Sequence, residues 1–156
     1  DAAAKNIAAA RLHANDGRLN IDYRVGAPGV ALRDGDAFDV LLLLEVVEHV
    51  DNLQAFLQQT ARHLKPGGLL LVSTINRTPR SFATAIVGAE YILKLLPKGT
   101  HEYAKFIRPS ELSQACRDAN LDVLQTRGME YNPLTERYWL SDNTSVNYLF
   151  ACQRPL

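Results

Sequence analysis

The hydrophobic positions near the N-terminus change from a helical spacing to a strand-like alternation. An alanine-rich run predicts a helix from Ala2 to Ala14, because its apolar residues fall near helical spacing and Asn15-Asp16-Gly17 interrupts it. Residues Asn20–Val25 then alternate apolar and polar side chains, as a half-buried strand does. The pattern therefore predicts that the chain opens with a helix followed by a strand.

Two longer apolar runs follow and predict buried strands. Phe38–Leu44 is apolar except for Asp39, which is typical of a parallel strand covered on both faces at the centre of a sheet. Leu69–Ile75 is the second run. Between them, Asp51 is predicted to cap a helix that ends at Pro66-Gly67-Gly68 and whose apolar stripe is Leu53, Phe56, Leu57 and Leu64. This alternation predicts a parallel, doubly wound α/β sheet.

The C-terminal third predicts a helix and a hairpin. Pro109–Asn120 has the pattern of a helix, and Leu121–Met129 and Val146–Cys152 that of strands separated by a turn-rich loop. An antiparallel pairing of these strands would close the sheet. We predict that residues 1–156 form a single, partial domain with an insertion at about residues 78–106.

Composition narrows the classes of function. Of the 156 residues, 47% are hydrophobic, which is enough for a buried core. Seventeen basic residues balance seventeen acidic ones, so net charge does not draw the chain to nucleic acid. No apolar stretch approaches the roughly 20 residues that span a bilayer. Cys116 and Cys152 match no metal-binding spacing and are predicted to be buried free thiols.

Candidate chemistry follows the strand of Phe38–Leu44, at the end where open α/β sheets bind ligands. Glu45, Glu48 and His49 have the spacing i, i+3 and i+4, so on a helical turn Glu45 neighbours the other two. Oxygen-rich ligands of this kind favour magnesium. The alternative is a solvated helix face, and the residues alone leave both interpretations open.

Three further features of the sequence have between one and three structural or functional interpretations. Asp1 precedes the first predicted helix, where it would bind the ribose hydroxyls of a nucleotide or cap the helix. Lys65–Gly68 is interpreted as a structural turn, since no phosphate-binding glycine pattern surrounds it. Ser81–Phe106 has helical apolar spacing with interspersed lysines. It would be a lid, a membrane-interface helix or an ordinary core helix.

The chain contains five motifs that together resemble the ubiquinone-biosynthesis O-methyltransferase family, and the resemblance covers essentially the whole chain. FDV…EVVEHV, within FDVLLLLEVVEHV, and LKPGG, within LKPGGLLLVSTINRT, are shared by many S-adenosylmethionine methyltransferases and specify only the superfamily. The more specific motifs are PKGTHEYAKF, within VGAEYILKLLPKGTHEYAKFIRP, and YNP…NY, within EYNPLTERYWLSDNTSVNY, and DAAAKNIAAARLHA opens the series.

The resemblance implies a Rossmann-like S-adenosylmethionine methyltransferase sheet without its first strand and glycine-rich loop. Asp1 is then expected to bind the cofactor ribose, Leu44 to contact the cofactor beside its adenosine, and Gly26 and Ala27 to line the adenine. The ligands of a magnesium ion would be Glu45, Glu48 and His49. A catechol hydroxyl bound to that ion would become more acidic and attack the sulfonium methyl group.

The resemblance also implies substrates and surroundings. The substrates would be polyprenylated catechols and demethylubiquinol, with Asn76 and His101 near the ring and Ser81–Phe106 meeting the membrane. The expected location is the cytoplasmic face of a bacterial inner membrane, or the mitochondrial matrix side in a eukaryote. Other ubiquinone-biosynthesis proteins are expected partners, and nucleic acid is not.

Two alternative functions are also consistent with the sequence, and the expected absence of the family's first strand has two consequences. The alternatives are a methyltransferase of another small catechol, and a non-catalytic fragment that binds only membrane or a partner. Without the first strand of the family's sheet, Phe38–Leu44 is expected to have an unpaired edge. The isolated chain is expected to bind cofactor poorly.

Overall fold

A five-stranded sheet organises the part of the chain that the structure describes. The structure is a computed structural model, and it describes residues 1–84, 102–132 and 135–156. The strands are β1 (Phe38–Leu44), β2 (Leu64–Ile75), β3 (Asp122–Asn132), β4 (Arg137–Ser141) and β5 (Asn147–Gln153). Their spatial order is β1-β2-β5-β3-β4. Only β1 and β2 pair in parallel, and each remaining pairing is antiparallel.

The chain divides into two compact units, and the first comprises residues 1–37. It contains α1 (Ala4–Asp16) and α2 (Pro28–Ala31). The helix expected at Ala2–Ala14 is therefore confirmed with a shift of two residues. The strand expected at Asn20–Val25 is wrong, because these residues are not in a strand. The apolar residues of this alternation, Ile21 and Val25, are exposed, and a strand also needs a neighbouring strand to accept its hydrogen bonds, which this unit does not contain.

In its described residues, the second unit, residues 38–156, holds the sheet and three α-helices. These are α3 (Leu53–Ala61), α4 (Pro79–Ser81) and α5 (Pro109–Asp118), with 3₁₀ turns at Val47–His49 and Tyr103–Lys105. The cap of α3 is Asn52 and not Asp51, since the Asn52 side chain accepts the Ala55 N–H at 2.9 Å. Leu64, which was expected to end the helical stripe, instead begins β2 opposite Phe38.

The Lys65–Gly68 segment forms a bulge in β2, as a structural turn would. The β1–β2 register shifts there, since Phe38 pairs with Leu64 whereas Val40 pairs with Leu69. A Cβ at Gly68 would lie 2.9 Å from the Lys65 carbonyl oxygen. The Lys65 ammonium pairs with Asp39 at 2.9 Å and holds the pKa of that carboxyl below its usual value.

The core lies between one face of the sheet and the helices α3 and α5. The fully buried side chains include Leu57, Leu64, Leu70, Leu112 and Val72. Cys116 and Cys152 are free and completely buried, as predicted, and their contact and burial raise the pKa of the Cys116 thiol. The buried Tyr148 hydroxyl donates a hydrogen bond to the Ile107 carbonyl at 3.0 Å.

The other face of the sheet is exposed at β1. Val40, Leu42 and Leu44 are 48%, 58% and 54% exposed, and β1 lies at one end of the strand order. The expectation that this strand would occupy the centre of the sheet is therefore wrong, whereas the expected unpaired edge is confirmed as far as the described residues go. An all-apolar run indicates that a strand suits burial on both faces, but it does not indicate whether another element covers each face.

The C-terminal hairpin is confirmed and larger than expected. Strands β3 and β5 pair antiparallel, and β3 continues to Asn132. There it pairs with β4, which lies in the segment expected to be a loop. Residues 138–140 of β4 are Tyr-Trp-Leu, types enriched in strands, but the turn residues on either side concealed so short a run.

We predict that Gly128→Ala destabilises this unit. An added Cβ would lie 1.8 Å from the backbone carbonyl oxygen of Asn143, so the loop after β4 must move. The expected loss is about 1–3 kcal/mol in the free energy of unfolding, measured by urea denaturation. Gly17→Ala is the matched control, since its nearest contact would be an ordinary 3.4 Å. Equal midpoints for the two variants would contradict the prediction.

Candidate active site at the carboxyl end of the parallel strands

The parallel strands β1 and β2 bring Glu45 beside Ser73. Leu44 pairs with Ser73, so the residue that follows β1 meets the same serine. The Glu45 N–H donates to the Ser73 carbonyl at 3.1 Å and lies 3.2 Å from its Oγ. The Ser73 hydroxyl in turn donates to Glu45 Oε1 at 2.8 Å. The serine thus holds both the backbone and the carboxylate of Glu45.

Glu45 has an unusual backbone conformation at this point. Its φ is +52°, in the left-handed region that glycine favours and that costs other residues roughly 1–2 kcal/mol. Its side chain is exposed at the carboxyl end of the strand. Strained residues of this kind cluster at functional sites, because the surrounding structure must hold them in place.

Glu48 lies in a different environment, within the 3₁₀ turn Val47–His49. It is only 5% exposed, and its Oε2 accepts a hydrogen bond from the Thr74 hydroxyl at 2.9 Å. Thr74 is completely buried. A buried carboxyl group is costly unless hydrogen bonds satisfy its oxygens, and the threonine hydroxyl supplies one of these bonds.

The two glutamates are held from opposite faces of the sheet. Ser73 and Thr74 are consecutive in β2, and consecutive strand residues point to opposite faces. Among the described residues, no group of three or more His, Cys, Asp or Glu could hold a metal ion. The expectation that Glu45 shares a helical turn with Glu48 and His49 is wrong, because Glu45 has a left-handed backbone conformation and precedes the 3₁₀ turn Val47–His49. As placed, Glu45, Glu48 and the exposed His49 do not fit a three-ligand magnesium centre.

Asn76 follows β2 and joins the site to the loop before β5. Its N–H donates to the Val146 carbonyl at 2.9 Å, and its Nδ2 donates to the Thr144 carbonyl at 2.7 Å. The buried Asn76 amide therefore anchors this loop, and an approach to a substrate ring stays a prediction. His101 lies outside the described residues.

The residues expected to bind the cofactor in the first unit are neighbours. The Gly26 N–H donates to the Asp1 carbonyl at 2.9 Å, which brings the expected ribose and adenine residues together. Asp1 Oδ1 also accepts the Ala3 N–H at 2.8 Å, at the start of α1. Ala27 directly precedes α2. Asp1 thus supports the beginning of the helix while its exposed carboxylate stays accessible to a ligand.

Sequence reasoning missed the ion pairs that shape this loop. Arg24 donates to Asp22 at 2.8 Å and to Asp36 at 2.5 Å, and thereby ties the two sides of the Gly26 turn together. The Arg33 N–H and the Arg24 guanidinium lower the pKa of Asp36. Opposite charges 12 residues apart carry no periodic signal, so only the folded turn reveals this pairing.

Comparison with known proteins identifies the family. Residues 2–126 match the family model described as "Methyltransferase domain". The chain belongs to the methyltransferase-domain family. It is 54% identical to the ubiquinone biosynthesis O-methyltransferase of Leptothrix cholodnii and 55% identical to that of Paracidovorax citrulli. Each comparison covers 99% of this chain and 66% of the relative, so this methyltransferase domain spans slightly less than two thirds of those relatives' length.

Solved structures confirm the fold. An S-adenosylmethionine-dependent methyltransferase from Methanosarcina mazei matches with a TM-score of 0.66 and 16% identity, over 100% of this chain and 80% of that chain. The [4+2]-cyclase SpnF matches with a TM-score of 0.67 and 12% identity, over 99% of this chain and 65% of its own. The methyltransferase fold predicted from the sequence is therefore confirmed. Such low identities show the fold alone.

We predict that Glu45→Gly is more stable than Glu45→Ala by about 1 kcal/mol. Both variants lack the carboxylate, so the difference isolates the left-handed backbone. The free energy of unfolding from urea denaturation is the measurement. The matched pair Gln59→Gly and Gln59→Ala lies in α3, where alanine should instead be the more stable by a similar amount. The same sign at both positions would show that Glu45 is not strained.

Proposed function

We propose that the full-length protein transfers a methyl group from S-adenosylmethionine to a hydroxyl oxygen of polyprenylated catechols and of demethylubiquinol in ubiquinone biosynthesis. The observation that carries this proposal is identity above 50%, along 99% of the chain, with relatives named ubiquinone biosynthesis O-methyltransferase. Membership of the methyltransferase-domain family supports the reaction class.

The reaction requires an acceptor for one proton. When bound, S-adenosylmethionine would supply its sulfonium methyl group to the hydroxyl oxygen and would leave as a neutral thioether. The hydroxyl proton must leave, and a positioned carboxylate can take it. We assign this role to Glu45, because it is the exposed glutamate at the carboxyl end of β1 and is held by Ser73. Alignment of oxygen, methyl and sulfur supplies much of the remaining rate.

The cofactor residues form a separate part of the proposal. Asp1 would accept hydrogen bonds from the ribose hydroxyls, and Gly26 and Ala27 would line the adenine. The hydrogen bond from Gly26 to Asp1 supports these assignments, because ribose and adenine are adjacent in the cofactor. Leu44 is 54% exposed and offers apolar surface to the cofactor beside its adenosine.

We further propose magnesium as the ion bound by Glu45, Glu48 and His49. The family resemblance and the donor types favour it, whereas the described arrangement does not gather the three side chains. We therefore derive no catalytic step through a cation. Glu45 and His49 are both exposed, so their side chains are the ones that could turn towards each other.

Peripheral attachment to the inner membrane, on its cytoplasmic face or the mitochondrial matrix side, would bring the protein to its substrate. In the described part of the chain, no helix is long and apolar enough to cross a membrane. The segment assigned to membrane contact and substrate entry, residues 78–106, lies partly outside the described residues. Its described ends meet where Phe82 and Tyr103 pack edge to face, with ring centroids 5.5 Å apart. Other ubiquinone-biosynthesis proteins are proposed partners.

We predict that Glu45→Gln lowers kcat for methyl transfer by about 10²-fold in the full-length enzyme, because the amide cannot take the hydroxyl proton. The assay follows the labelled methyl group from S-adenosylmethionine to a short-chain prenylated catechol. Glu136→Gln is the matched control, since Glu136 is also exposed with a φ of +53° but lies before β4. It should retain the parent kcat.

Two outcomes would count against this proposal. Parent-like kcat in Glu45→Gln would remove Glu45 from the reaction. No transfer to any prenylated catechol, but transfer to another small catechol, would change the assigned substrate.

If magnesium at Glu45, Glu48 and His49 takes part, as proposed, chelation should abolish transfer by the full-length enzyme and magnesium should restore it. A second readout is direct binding of Mn²⁺, a spectroscopic substitute, measured by electron paramagnetic resonance. His49→Ala should weaken this binding, whereas His63→Ala, which lies outside the proposed ligand set, should not. Transfer that is insensitive to chelation, with no Mn²⁺ binding, would sink the magnesium assignment and leave Glu45 as the direct proton acceptor.

A further inference from the structure

We infer that Ser73 and Thr74 are positioning residues whose hydroxyls fix the carboxylates of Glu45 and Glu48 at the carboxyl end of β1. This inference rests on the proposed function, because it assigns the two hydroxyls to the reaction rather than to folding alone. Neither residue was a candidate from the sequence, where both read as strand positions.

Ser73 fixes the direction in which Glu45 points. Its hydroxyl lies within hydrogen-bond distance of both the Glu45 N–H and Glu45 Oε1, so one oxygen can accept from the backbone and donate to the carboxylate. The Ser73 carbonyl accepts the same N–H at 3.1 Å. A side chain that is otherwise exposed is thereby held in one orientation, next to a backbone that few residues adopt.

Thr74 fixes Glu48 in a less solvated setting. Thr74 is 0% and Glu48 5% exposed, so water cannot readily replace the 2.9 Å hydrogen bond between them. Loss of the hydroxyl would leave one carboxylate oxygen short of a donor in a buried site. The Glu48 carboxylate should then shift, and with it the turn Val47–His49, which follows the proposed proton acceptor Glu45 closely in the chain.

The backbone that carries the two hydroxyls is held by strand pairing, on both sides at Ser73 and on the β5 side at Thr74. Ser73 pairs with Leu44 of β1 and with Leu149 of β5, and Thr74 pairs with Tyr148. A site supported by a central strand is held more accurately than one supported by loops. Small displacements of reacting groups cost much of the rate, so these hydroxyls are well placed to set it.

The competing interpretation is that both hydroxyls merely satisfy hydrogen bonds in a stable fold. Thr60 provides the comparison, because its hydroxyl is also buried and donates to the Phe56 carbonyl at 2.8 Å within α3. Replacement of Thr60 by valine also removes a buried threonine hydroxyl, but it leaves the hydrogen bonds from Ser73 and Thr74 to the glutamates in place. A positioning role and a structural role therefore give different results in these two variants.

The experiment measures kcat and KM for methyl transfer in the full-length enzyme. We expect Thr74→Val to lower kcat about 10-fold, with the KM for S-adenosylmethionine changed less than about 2-fold. Thr74→Ser, which keeps the hydroxyl, should restore kcat to within about 3-fold of the parent. Thr60→Val should leave kcat unchanged. Thermal unfolding of each variant checks that it is folded at the assay temperature.

A double-mutant cycle tests Ser73 independently, should Thr74→Val fail to fold. Ser73→Ala should lower kcat about 5-fold in the parent and have no further effect in Glu45→Gln, because the serine acts through that carboxylate. Effects that multiply would overturn the inference for Ser73. Equal kcat in Thr74→Val and Thr60→Val would overturn it for Thr74. If the parent itself transfers no methyl group, the proposed function fails and this inference falls with it.

Discussion

The parallel pairing of β1 with β2 is the constraint on which the candidate site depends. It sets Leu44 opposite Ser73. Glu45, which follows Leu44, then reaches the Ser73 hydroxyl, and Glu48 reaches the hydroxyl of Thr74, which follows Ser73. The bulge at Lys65–Gly68 fixes this register from the other end of the strand, because it absorbs the extra residues before Leu69. A slip of one residue would place each glutamate against the wrong face.

The sheet also explains why the site is built from two kinds of environment. One face of β2 packs on α3 and α5, and this face carries Thr74 and the buried Glu48. The other face is exposed at β1, and there Ser73 holds an exposed Glu45. Two acidic residues three positions apart in sequence therefore differ in solvation, backbone conformation and partner. Their chemistry should differ for the same reasons.

Much of the fold could be predicted from the sequence, because β1, α5 and the antiparallel pairing of β3 with β5 each leave a clear apolar pattern. Glu45, Glu48 and His49 could be found by their position after a strand. Ser73 and Thr74 could not, because their role depends on the register between strands distant in sequence. The strand β4 was missed because its five residues lie between turn signals. Glu45 was wrongly expected on a helical turn, because residue types do not reveal its left-handed φ.

The hydrogen bonds to β2 also indicate which glutamate a ligand would move. Convergence of the two carboxylates requires at least one of these bonds to break. The bond from Thr74 is buried, so its loss leaves a charged group without water to replace the donor. Glu45 is exposed, water can replace Ser73, and its left-handed backbone gains stability on leaving that conformation. A cation that drew the two carboxylates together at this edge would therefore move Glu45 and leave Glu48 in place.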